Sequence, residues 1–375
     1  MMGIFLSQPK SRRQWRTLRL CGPFAVTLLL ASAADAQDTH PVLPADMAIA
    51  SRPEAAPGVT IESGELRARI ALPDAKNGFY RGTRFDWSGM ITSVTMSGSR
   101  FYGPWYNAVS PTIHDFIDLP GGVVVNPSNA ATGPAEEFAN RDGETVPGYN
   151  AAPVGGTFIK IGVGRLRKDD LEPYDHFRAY TIVDGGHWSV QHSKNRITFI
   201  HRLRADATGF GYEYEKTIAL SPGGIMTIAH RLRNIGRRPI DTQIYNHNLA
   251  RFDDADIGPG VSVRFPFSIT GAVSAPDLAR IDGDTLRYGA ILAPGDRLQL
   301  PAQQGAADKI PGPFRITGAN GATITMQTDT PLVRTVLWSI RRAVAVEPFT
   351  AIHVAPGAEQ RWSWQYTFTP ASAAR

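Results

Sequence analysis

From Thr157 onward the chain is a succession of short segments in which apolar and polar residues alternate, each closed by Gly, Pro, Asn, Asp or Ser. "TFIKIGVGRLRK", "HWSVQHSKNRITFIHRL", "GYEYEKTIALSPGGIMTIAHRLRNIG" and "PIDTQIYNHN" follow one another, then "VSVRFPFSITG", "ATITMQTD", "LVRTVLWSI" and "RWSWQYTFTP". A period of two puts every second side chain on one face, so each segment reads as a strand with one buried face. Spacing of this kind predicts an all-β protein, a large antiparallel β-sandwich. The 36 Gly and 28 Pro residues supply its turns, and 42% hydrophobic content is enough for a sizeable core.

Strand signals begin near residue 61, where "IESGELRARIALP" alternates and "GMITSVTMSGSRFYG" reads as a hairpin turning at Gly98-Ser99. Between about 103 and 156 the pattern fades into Gly, Pro, Asn and acids, a loop-rich insertion of the length usually tied to function. Residues 61–370 are therefore expected to form one domain, with 37–60 as a linker or N-terminal arm.

The first 36 residues have the parts of a signal peptide: basic "SRRQWRTLRL", apolar "CGPFAVTLLLASA" and small residues "ADA" before Gln37. Arg12-Arg13 suggests a twin-arginine leader, although Trp15-Arg16 departs from the usual continuation. A periplasmic or secreted protein is expected, with no membrane segment once the leader is cleaved. Removing it leaves 34 basic against 33 acidic residues, so the formal charge of +5 is mostly a targeting feature. A near-neutral mature chain gives no electrostatic case for nucleic acid or an anionic membrane. The single cysteine, Cys21, lies in the leader, which leaves the mature chain without disulfide or thiol chemistry.

Three segments carry more polar chemistry than a core requires. Asn246-His247-Asn248 ends one strand; residues of this kind at a strand end are more commonly turn formers, and a histidine between two amides is the functional alternative. Glu347 closes the apolar run "AVAV", where a carboxylate is costly unless paired, for which Arg341 and Arg342 are at hand, or works as a general base. Pro348 should stop the hydrogen-bond ladder there. "NGFYRGTRFDWSG" and "FYGPWYN" mix aromatics with Arg and Asp, a mixture suited to the C–H faces and hydroxyls of a sugar. Arg84, Trp87, Trp105 and Tyr106 are the candidates there, with Glu136 and Glu137 in the insertion as hydroxyl or cation ligands. His187, His192 and His201 lack metal-ligand spacing, and no phosphate loop, dinucleotide fingerprint or Gly-x-Ser-x-Gly elbow occurs, so no metal, no cofactor and no serine nucleophile are expected.

The strand pair "MTIAHRLRNIGRRPI", the Asn-His element after it, and a Val-Glu at a strand end about a hundred residues on, followed by "VAPGAEQRWSWQYTF", resemble the galactose mutarotase-like superfamily, which includes the aldose 1-epimerases. The resemblance implies a mutarotase-like supersandwich, with His247 on the family's catalytic histidine and Glu347 on its catalytic glutamate. It implies that Glu347 takes a proton from the anomeric hydroxyl while His247 gives one to the ring oxygen, with Asn246 and Asn248 orienting histidine or sugar. Arg84 is only a loose counterpart of the family's early arginine motif, and its His-Gly-Gly element is missing, so the sugar is left open. Three functions remain: an exported sugar epimerase, a lyase or glycoside hydrolase on the same fold, and a non-catalytic carbohydrate-binding sandwich.

Overall fold

The computed structural model describes residues 47–49, 52–139, 145–306 and 308–372. Residues 1–36, expected to be a leader and including Cys21, lie outside them. All that follows concerns the described residues of the unit Leu43–Arg375.

Two large antiparallel sheets, of ten and nine strands among the described residues, make up the body of the fold. The Glu359–Thr369 strand shows why they stack. Trp362, Trp364, Tyr366 and Phe368 point inward while Glu359, Arg361, Ser363 and Gln365 point away from that core. Trp364, Tyr366 and Phe368 meet Ile61, Ile70, Val94, Leu337, Val344 and Val346 of the opposite sheet in one buried cluster. Burying such side chains contributes about 1.5–3 kcal/mol each.

The nine-stranded sheet is built around Ile240–Ala250. Ala343–Val354 flanks it on one edge, and Ala135–Phe138 and Tyr102 pair with it on the other. Arg334–Ile340 and Arg297–Gln304 continue the sheet beyond Ala343–Val354.

Several sequence expectations are corrected. The hairpin turns at Ser97-Gly98 rather than Gly98-Ser99, because Met96 pairs with Ser99 and both turn residues have positive φ, 49° and 81°. Strands begin earlier than residue 61: Gly58–Ser63 is a strand, and Ala48–Ile49 pairs with Ala108–Val109. The insertion is not merely loop. It holds Phe116–Leu119, Gly122–Val125 and Ala135–Phe138, strands too short for alternation to reveal. Gly133 precedes the last of these where a Cβ would stand 2.5 Å from the Leu249 nitrogen, so only glycine permits the approach to the central strand.

Pro348 does not end its strand, which runs from Ala343 to Val354. Its missing N–H instead falls in a two-residue gap in the ladder between Tyr245↔Phe349 and Asn248↔Val346. The Asn248 side chain bridges that gap, its Nδ2 donating to the carbonyls of Val346 at 2.8 Å and Asn246 at 3.2 Å.

Candidate functional site

Alternation along four adjacent strands lays out a grid on the outer face of the nine-stranded sheet. Tyr245, Phe349 and Arg334 form one row by register. In the next, the register on either side of the ladder gap sets His247 opposite Glu347, which pairs with Val336. A third row holds Leu249, Ala345, Trp338 and Gln299. Rows lie about 7 Å apart, two residues along a strand. This grid floors a cleft of about 370 Å³.

Three non-periodic segments wall the cleft with Arg84 and Phe85, with Trp105, Asp115, Phe116 and Asn129, and with His176 and Phe177. Each is tied down by hydrogen bonds to segments distant in sequence. The Tyr80 hydroxyl accepts from the backbone N–H groups of Arg84 (3.2 Å) and Phe85 (2.9 Å) and donates to the Ser128 carbonyl, tying the first wall to the second. Trp105 donates its indole N–H to the Ala131 carbonyl at 2.9 Å. His114 pairs with Asp175 at 2.7 Å and links the second wall to the third.

His247 Nε2 stands 3.4 Å from Glu347 Oε1. Both are buried yet line the cleft, the geometry expected of cross-strand neighbours on one face. Around the imidazole, Phe85 (6.0 Å) and Trp338 (5.7 Å) present edge-to-face rings, and Tyr245 lies 6.2 Å away. Burial in this aromatic box holds the His247 pKa well below the ordinary 6.5; Arg84 and His176 push the same way, and Glu137 opposes them. Arg341 and Arg342, the alternative partners for Glu347, instead pair with Asp118 and Asp256.

Glu136 and Glu137 are both sealed, on opposite faces of one strand. Glu136 enters the space between the sheets, where Lys216 lies at 2.5 Å, His230 at 3.1 Å and the Asn246 amide donates at 3.1 Å. Burial raises its pKa, but His230 and Lys216 outweigh that and bring it down to about 2. Glu137 lies beside the cleft residues without lining the cleft. Its Oε2 accepts from Arg84 Nε (2.8 Å) and the Tyr245 hydroxyl (2.6 Å), and its Oε1 from Lys160 Nζ (3.2 Å).

Of the residues singled out in the sequence, the structure brings His247, Glu347, Arg84 and Trp105 together at the cleft. It sends the others elsewhere. Trp87 packs in a neighbouring core and donates to the Gly82 carbonyl. Tyr106 supports Trp105 and donates to the Ala130 carbonyl. Asn246 and Asn248 cannot flank a sugar beside His247, because neighbours in a strand point to opposite faces; both meet Tyr366 of the opposite sheet, at 3.0 Å each. The expectation that Glu136 and Glu137 contact the ligand is likewise corrected, since ion pairs bury both.

Sequence reasoning missed His176, Phe177, Asn129, Asp115, Trp338 and Phe349 as cleft residues. Counting by twos from Glu347 reaches Phe349, and a strand pairing would have reached Trp338. No periodic signal exists for the wall residues.

No family model matches the chain. No curated protein matches it. Among solved structures, a galactose mutarotase related enzyme from Lactobacillus acidophilus is 12% identical, with 84% of this chain and 98% of that one covered and a TM-score of 0.45. A galactose mutarotase-like protein from Clostridium acetobutylicum is 11% identical, covering 86% and 98%, with a TM-score of 0.48. The Slr1438 protein from Synechocystis sp. PCC 6803 is 14% identical, covering 87% and 99%, with a TM-score of 0.47.

Proposed function

We propose that the chain is a sugar epimerase of the mutarotase type, interconverting the anomers of a cyclic hemiacetal in the aromatic cleft. The observation that carries this reading is the contact between His247 and Glu347, 3.4 Å apart on one cleft-facing row. The anomeric carbon bears both oxygens that exchange a proton in mutarotation, the hydroxyl and the ring oxygen. Two proton-transferring groups in mutual contact are therefore spaced to serve both at once. Seven aromatic side chains line the same cleft, among them Phe85, Trp105, Trp338 and Phe349, and rings of this kind suit the C–H faces of a sugar.

The pair works with one transferable proton. Glu347 takes the proton of the anomeric hydroxyl as His247 delivers its own to the ring oxygen; the bond from C1 to that oxygen breaks and an open-chain aldehyde forms. Rotation about C1–C2 and the reverse transfers close the other anomer and restore both groups. No electrons are exchanged, because hemiacetal and aldehyde carbons have the same oxidation level. An exported enzyme, as the leader implies, would meet its sugar in the periplasm or outside the cell.

Glycosidic cleavage is less well supported. It calls on a second acid-base group at the bond, a carboxylate or a tyrosine. Tyr245 lines the cleft, but its hydroxyl donates to Glu137 at 2.6 Å and accepts from Arg84 at 2.7 Å. Glu136 and Glu137 are sealed, and Asp115 is engaged by Asn129 at 2.7 Å and Arg297 at 3.3 Å.

Polarimetry on freshly dissolved aldoses tests the proposal. The wild type should accelerate the approach to rotational equilibrium, and Glu347→Gln should lower that acceleration by about 100-fold or more. A variant as fast as the wild type, or a wild type that only releases new reducing ends from oligosaccharides, would refute it.

A further inference from the structure

Glu136 and Glu137 are adjacent, equally buried and each neutralised by a lysine, yet they serve different sides of the sheet. Glu136 is 1% exposed and Glu137 0%. The strand Ala135–Phe138 lies against Ile244–His247 with Tyr245 opposite Glu137 and Asn246 opposite Glu136. Alternation along both strands therefore puts Glu137 and Tyr245 on the cleft side, Glu136 and Asn246 on the interior side.

We propose that Glu137 is a positioning residue for the proton-transferring pair, fixing the wall that sets the orientation and charge of His247. The inference rests on the reading of the cleft as a proton-transfer site and adds to it a residue that touches no substrate. One carboxylate gathers four groups from four separate segments: Arg84 Nε at 2.8 Å, the Tyr245 hydroxyl at 2.6 Å, His176 Nδ1 at 3.3 Å and Lys160 Nζ at 3.2 Å. Three of these, Arg84, Tyr245 and His176, line the cleft. Arg84 also donates from Nη2 to the Tyr245 hydroxyl at 2.7 Å and from Nη1 to Asn129 Oδ1. Asn129 in turn donates to Asp115, which pairs with Arg297, so the hub continues along the cleft rim.

The electrostatic consequence follows from the same geometry. His247 is faced by Glu347 from the adjacent strand, by Arg84 from the first wall and by His176 from the third; Tyr245 is two residues away on its own strand. Arg84 next to an imidazole disfavours its protonation. Glu137 is the countercharge that holds Arg84 in place and offsets it at His247. Without that carboxylate, Arg84 and Lys160 would be two buried cations with no anion between them. The imidazole would then become still harder to protonate.

The neighbouring glutamate supplies the control, because Glu136→Gln also breaks a fully buried ion pair but on the face away from the cleft. Both variants should lose thermal stability. NMR of the His247 ring across a pH titration then reads its charge directly, without any substrate. In Glu137→Gln its titration midpoint should fall by about one pH unit relative to wild type, and in Glu136→Gln it should stay in place. With a turned-over aldose, Glu137→Gln should reduce kcat by about 100-fold while Glu136→Gln keeps the wild-type kcat. Glu137→Gln/Lys160→Met, which restores the buried charge balance, should recover stability but not kcat. Equal effects of the two single variants on the His247 midpoint, or recovery of kcat in the double variant, would overturn the inference. Were Glu347→Gln as active as wild type while the two midpoints differed as expected, the proposed function would fail and only the part of the inference that ties Glu137 to the charge of His247 would stand.

Discussion

At the scale of single residues, the direction in which a side chain leaves its strand decides its role. Asn246, His247 and Asn248 are consecutive and all buried, but only His247 reaches the cleft; its neighbours bond to Tyr366 and to the backbone between the sheets. The aromatic box determines what that histidine can do. Burial, with Arg84 and His176 beside it, holds the imidazole pKa well below the ordinary 6.5 against the opposing pull of Glu137. A group with a depressed pKa loses its proton at lower pH than usual, so the state of the pair that holds one transferable proton is filled only on the acid side. The proposed activity, followed as kcat/KM against pH, should therefore fall along its alkaline limb with a midpoint below 6.5, the ordinary imidazole value. A midpoint above that value would mean that the Glu347 carboxylate, not burial, governs the histidine.

At the scale of elements, the ladder gap opposite Pro348 is what allows a polar pair to sit in the middle of a sheet. Proline donates no backbone hydrogen bond, and the Asn248 amide bridges the strands by donating to two carbonyls. Asn248→Ala should cost about 1–3 kcal/mol of stability, read from denaturant unfolding, because two buried carbonyls and the Tyr366 hydroxyl lose a partner. An unchanged midpoint would show that the gap needs no bridge. The strands themselves were legible in the sequence because alternation is a local signal, and His247 and Glu347 were reached through the resemblance of two long strand pairs. The roles of Asn246, Asn248, Glu136 and Glu137 were not. For the asparagines the period-two rule gives only the face, opposite to that of His247; their bonds to Tyr366 and the Val346 carbonyl depend on strands distant in sequence. For the glutamates the strand Ala135–Phe138 is four residues long, too short for its faces to be told apart before its partner is known. Wall residues such as His176 and Asn129 belong to irregular segments whose positions depend on contacts distant in sequence, including Tyr80 with Ser128 and His114 with Asp175.

At the scale of the whole molecule, core and cleft occupy opposite faces of the same sheet. The apolar residues of the Arg334–Ile340 and Ala343–Val354 strands, such as Leu337, Val344 and Val346, pack toward the second sheet, while Trp338, Glu347 and Phe349 look the other way. The sandwich thus supplies a rigid floor, and irregular segments laid over it supply the walls, the usual division between scaffold and site. The proposed function requires that His247 and Glu347 act on this floor as one unit passing a single proton. The most direct test is the polarimetric rate of anomer interconversion in His247→Gln, Glu347→Gln and the double variant. A unit predicts that each single change costs nearly as much as both together. Losses that multiply in the double variant, as they do for independent groups, would contradict it.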